Sequence, residues 1–280
     1  ASSAFGWSNT ASAENASAFG YVNEASGLAS SALGFRNKAA NENASAVGYG
    51  NNAGGVASSA FGFSNVAKVD YASAFGYSNE ASGLASSAVG FRNKAASENA
   101  SAVGYGNNAN ALAASAVGYN NTAGGVGSST IGYNNTATNE NASAFGYGNT
   151  AGGLASSAFG FSNTASGDNA NAFGYNNIAS GSKSNVFGTG NTVSGSSSTA
   201  VGTANEVAAE NSTAIGNNNT ISSGAENSAA LGNNISISLK DSVALGNNST
   251  ATAVNSVTGN SSYTKWAGVS DVVGVVSVGS

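Results

Sequence analysis

The side chains able to do chemistry in this sequence are few and evenly spread. Thirteen carboxylates and eight Lys or Arg stand among 280 residues, with no His, Cys, Met or Pro. The usual imidazole bases, thiol nucleophiles and soft metal ligands are therefore missing. What remains is carboxylate chemistry, a general acid/base pair or a calcium cage, and both need several oxygens converging on one point. Here the carboxylates are scattered. Glu14, Glu42, Asp70, Glu98, Glu140, Asp168 and Glu210 recur at one position of a repeat, and Glu24, Glu80 and Glu206 at another, never as a close pair. We expect no enzyme, no catalytic residue, no cofactor and no metal, with the charges on solvated turns and outer faces.

The net charge of −5 has the wrong sign for tracking phosphates, so nucleic acid is not an expected partner. No stretch is long and apolar enough to enter a membrane. Much of the 41% hydrophobic content is Ala, which buries little area per residue. The absence of Cys fits many compartments.

Two further residue types recur with regularity. An aromatic follows a marker Gly thirteen times running: Trp7, Tyr21, Phe35, Tyr49, Phe63, Tyr77, Phe91, Tyr105, Tyr119, Tyr133, Tyr147, Phe161 and Tyr175. Trp7 and the Tyr members are candidates for an adhesive stripe, since Tyr joins a flat apolar body to a polar tip, or for a trimer contact. A stacked ladder that packs the protein gives the same pattern and is the preferred reading. Asn stands three residues after Gly in sixteen successive repeats, Asn9 to Asn219, as expected of a left-handed turn residue whose amides bond from repeat to repeat. Tripeptides such as Asn15-Ala-Ser17 match a glycosylation sequon, but the repeat alone generates them.

The elements that must position these residues are set by a period. The marker glycines are Gly6, Gly20, Gly34, Gly48, Gly62, Gly76, Gly90, Gly104, Gly118, Gly132, Gly146, Gly160, Gly174, Gly188, Gly202 and Gly216, every step 14 residues, then Gly232 and Gly246 after steps of 16 and 14, with a worn marker at Gly259. Residues 16–53 recur at 72–109 with three changes, an offset of 56 or four whole periods. Duplication in whole coils preserves structural phase, which an additive solenoid tolerates. Fourteen residues hold two short strands and two tight turns, so the period predicts an all-β solenoid.

The residue before each marker is Phe, Val, Leu or Ile, and the one before that is Ala except at Thr130 and Val186. Neighbours on a strand point to opposite faces, so the strand is apolar on both. One face fills the coil; the other needs a partner, which predicts an oligomer. Phe75→Asp is then expected to bury an unpaired charge at a cost of several kcal/mol. Five residues after the marker, Ala recurs from Ala11 to Ala179 and gives way to Val193, Val207, Ile221 and Ile237, an inward position on the second strand. Coils about 4.8 Å apart set Glu24 beside Lys38 and Glu80 beside Lys94, and eighteen of them give a rod of about 85 Å.

Units such as ENASAVGYGNNA, ENSTAIGNNNT and DSVALGNNSTA resemble the head repeats of trimeric autotransporter adhesins, the YadA-like head, over residues 1–259. The resemblance implies a left-handed parallel β-roll, three chains joined side by side about a threefold axis, and a non-enzymatic head. That head is exposed on the bacterial cell surface and anchored to the outer membrane through a C-terminal region outside this segment. It also implies attachment to host matrix, host cells or abiotic surfaces. The aromatic after the marker departs from the familiar heads, so no ligand is transferred. Residues 260–280 break the period, and their end, VVSVGS, resembles the entry to a neck and stalk. The alternatives are a spacer solenoid without binding activity, or an ice- or carbohydrate-binding solenoid; sparse Thr in the regular coils speaks against ice.

Overall fold

A computed structural model describes residues 1–252 and 276–278. It divides into two units, Ala1–Gly148 and Asn149–Ser280. Among the described residues, each unit is a parallel β-solenoid without helices. A coil consists of a five-residue strand such as Ser17–Tyr21, a corner, a two-residue strand such as Glu24–Ala25, and a second corner. The first unit holds eleven long strands, Ser3–Trp7 to Ser143–Tyr147; the second holds seven, Ser157–Phe161 to Val243–Asn247. Equivalent positions pair in register, so Ser17 meets Ser31 and Gly20 meets Gly34, and Glu24 meets Lys38. The two-residue insertion before Gly232 is absorbed in a corner, since Thr213 still pairs with Ala229 and Gly216 with Gly232. In the second unit Val276–Val278 pairs with Val243–Leu245, adding a rung to the long-strand ladder. Gly259 and the rest of 260–280 lie outside the described residues.

The two apolar neighbours of the long strand separate by size. Ala18, Ala32, Ala46, Ala60 and Ala74 are fully buried, whereas the following residue points outward, with Phe19 40% and Phe75 37% exposed. Methyl-sized residues let the two walls of the coil close on each other, and a Phe has no room between them. Phe75 is therefore on the outer face, and Phe75→Asp buries a charge only where another chain covers that face. The short strand contributes the second inward row, Ala25, Ala39, Ala53, and in the second unit Val193, Val207, Ile221 and Ile237, all buried.

Between the walls runs a row of asparagines. Asn79 Nδ2 donates to Asn65 Oδ1 at 3.0 Å, to the Phe75 carbonyl at 2.9 Å and to the Gly90 carbonyl at 2.7 Å. Its Oδ1 accepts from Asn93 N at 2.9 Å and Asn93 Nδ2 at 3.0 Å. Two amide hydrogens serve three acceptors, so one is shared, and no polar atom of the side chain is left without a partner. The marker Gly makes this possible: Gly76 has φ +117°, and a Cβ there would collide with the Gly90 carbonyl and press on Asn79 Nδ2. The row ends in the second unit, where Asn219 Oδ1 accepts from the backbone N of Ile235, an apolar residue in the next Asn position.

These asparagines are not the left-handed residues. Positive φ falls one position earlier, at Ser8, Val22, Arg36, Ser64 and Arg92 (51° to 56°), and at the other corner, at Asn15, Ala29, Asn43 and Ala57 (52° to 56°). A corner whose hydrogen bonds are taken over by the coils above and below tolerates the strain of a non-Gly residue there, about 1 kcal/mol or more each.

Candidate interaction face

Each long strand directs three side chains outward: a residue at its start, generally Ser, then the apolar residue before the marker Gly, then the residue after it. Stacked in register, they make three rows on one face of each unit. The middle row of the first unit includes Phe61 and Phe75, ring centroids 5.1 Å apart and 10° between planes. In the second unit Phe159, Phe173 and Phe187 stack at 4.9 and 5.2 Å. No described part of either unit covers the face. Phe187, Ile215 and Leu231 remain 41–43% exposed.

The third row is the aromatic one. In the first unit Tyr21, Phe35, Tyr49, Phe63, Tyr77, Phe91, Tyr105, Tyr119, Tyr133 and Tyr147 form a continuous stack, centroids 4.7–4.9 Å apart and planes within 7°. The spacing is that of the coils, so the backbone imposes it. Tyr175 stacks on Phe161 in the second unit at 5.2 Å. Both faces of an interior ring are covered by its neighbours, so the row offers ring edges and phenol hydroxyls outward. A planar sugar face finds no ring face to lie on there. Trp7, 68% exposed, stands at the first coil.

The opposite face, carried by the short strands, is polar apart from Val66 and Ile178. It holds the ion pairs Lys38–Glu24 at 3.2 Å and Lys94–Glu80 at 3.9 Å, half exposed and worth roughly 0.2–1 kcal/mol. At the corner before the long strand, acidic and aliphatic residues alternate: Glu14, Leu28, Glu42, Val56, Asp70, Leu84 and Glu98, all exposed except the half-buried Val56. The alternation has a local cause where an acid caps the coil before it. Asp70 Oδ1 accepts from Val56 N at 2.8 Å, and Asp168 Oδ1 from Leu154 N at 2.9 Å. At the other corner the Arg36 and Arg92 guanidinium carbons lie beside the Phe35 and Phe91 rings, 5.2 and 5.1 Å from the centroids.

The structure thus sets the candidate aromatics on an outer face and gathers the marker glycines into a ladder within the long-strand wall, half-buried or exposed. Among the described residues, no group of three or more acidic side chains is placed to hold a metal ion, and no helix is long and apolar enough to cross a membrane. Sequence reasoning missed the pairing of Arg36 and Arg92 with the aromatic row; the signal was present, since each directly follows a row member.

No curated protein matches the chain. The YadA head domain repeat family, whose unit is described as two copies, matches residues 1–22, 25–51, 53–79, 81–107, 96–121, 123–149, 151–177, 194–219 and 240–257. A two-copy unit suits the two-coil alternation of acidic and aliphatic corners. With its coils, its marker glycines and these matches along nearly all of its length, the chain belongs to the YadA head domain repeat family, the adhesin-type heads of trimeric autotransporters.

Proposed function

We propose that three copies of this chain pack their long-strand faces around a common axis. The assembly is the surface-exposed head of an outer-membrane-anchored adhesin, which attaches to host matrix, host cells or abiotic surfaces by many weak contacts. The observation that carries the reading is the uncovered apolar face. Its middle row of Phe, Val, Leu and Ile is too large and too continuous to be left in water by a stable soluble fold. The aromatic row, with its ring faces already occupied, belongs to the margin of that contact, where edges and hydroxyls meet the neighbouring chain. The short-strand face then points outward and repeats one modest, mainly polar surface along each chain. Three chains multiply it, so avidity rather than a deep pocket holds the cell.

The test is retention under flow of beads coated with the isolated 280-residue chain, on matrix protein, on host cells and on plastic. The reading expects retention that rises steeply with coating density. Beads that pass at every density on all three surfaces would make the head a spacer.

A further inference from the structure

The two corners of a coil lie at opposite ends of the five-residue long strand, about 16 Å apart. If three such strands run in the same sense around an axis, the end of one meets the start of the next, a heterologous contact repeated three times. The corner two residues after the marker Gly then faces the corner eight residues after it on the neighbouring chain, at the same coil height. In the first unit these corners match coil by coil. Val22 shares its coil with Leu28, Arg36 with Glu42, Ser64 with Asp70, and Arg92 with Glu98.

Arg36, Glu42, Arg92 and Glu98 are exposed, and among the described residues the ion pairs involve other side chains. Each Arg lies beside an aromatic ring, 5.2 or 5.1 Å from its centroid, which limits the freedom it would lose on pairing. We propose that Arg36 and Arg92 of one chain pair with Glu42 and Glu98 of the next, fixing three chains in coil-for-coil register. This rests on the three-chain reading above. Register needs such a device because residues 16–53 and 72–109 are near-duplicates. A slip of one coil sets Arg36 against Leu28 or Val56 and a slip of four coils keeps only one of the two Arg–Glu matches, while a slip of two coils sets Arg36 against Glu14 and Arg92 against Asp70, whose Oδ1 already accepts from Val56 N.

The test uses the whole chain and its charge swap. Within one chain the two corners lie beyond the screening length of about 8 Å at physiological salt, so a rescue between them has to cross a subunit boundary. Arg36→Glu with Arg92→Glu is expected to lower the melting midpoint by several degrees at low salt. Adding Glu42→Arg and Glu98→Arg is expected to restore it. If the native chain has the mass of three copies but the reversal melts unchanged, or the swap restores nothing, the pairing is overturned and the three-chain reading stands. A native chain with the mass of one copy overturns both. A second variant, Arg92→Cys with Glu98→Cys in a chain otherwise free of Cys, is expected to give a covalent three-chain band with a short bismaleimide. A three-copy mass without that band also overturns the pairing.

Discussion

At the residue scale, stability is concentrated in the Asn and Gly rows rather than in a large apolar core. Asn79→Ala removes the donors to Phe75 and Gly90 and the acceptor of Asn93 N. Each buried group left unpartnered costs about 1–3 kcal/mol. The expected outcome is a loss of several kcal/mol in denaturant unfolding, with faster amide exchange in the coils on either side. Asn79→Asp should do at least as much harm, because it trades two donors for an acceptor facing carbonyl oxygens. Gly90→Ala, at φ +118° and against the Gly104 carbonyl, should lower the melting midpoint more than Ala at a half-buried corner such as Ser78→Ala. The Asn row was legible because one residue type recurs in phase. The left-handed corner beside it was not, because Ser, Val, Arg, Gly and Asn all occupy it. What holds that backbone is bonding to adjacent coils, such as Arg36 N to the Tyr21 carbonyl at 2.9 Å, which no local propensity reports.

At the element scale, the coil is the unit of addition. Every long strand of the first unit meets its neighbours in the same register, and each coil touches little beyond the coils above and below. Deleting residues 16–71, four coils, should leave a soluble chain with the same β-rich circular dichroism. A deletion of 49 residues from the same start would carry buried Ala into corner phase and should give an insoluble one. Strand and turn positions followed from the marker spacing and from the rule that neighbours on a strand alternate faces. Which apolar neighbour goes inside was not written in that alternation. Ala18 and Phe19 are both apolar, and only the closeness of the walls decides that the Ala is enclosed and the Phe is left on the outer face. The acid at every second corner was visible in the sequence, but its capping bond, Asp70 to Val56 N, depends on the coil-to-coil distance.

At the scale of the whole molecule, the uncovered face governs behaviour. Phe61→Asp with Phe75→Asp should leave the coil fold of a single chain intact, since both side chains lie outside the walls. In an assembly it should bury two unpaired charges per chain. A folded species of lower mass at micromolar concentration, with unchanged far-ultraviolet circular dichroism, is the expected outcome. The expectation of an oligomer rests on the doubly apolar strand, while the number three came from family resemblance. The most direct measurement is the mass of the native 280-residue chain by light scattering in dilute solution. The account predicts three times 26.9 kDa; a well-folded, soluble single copy at that concentration would contradict it.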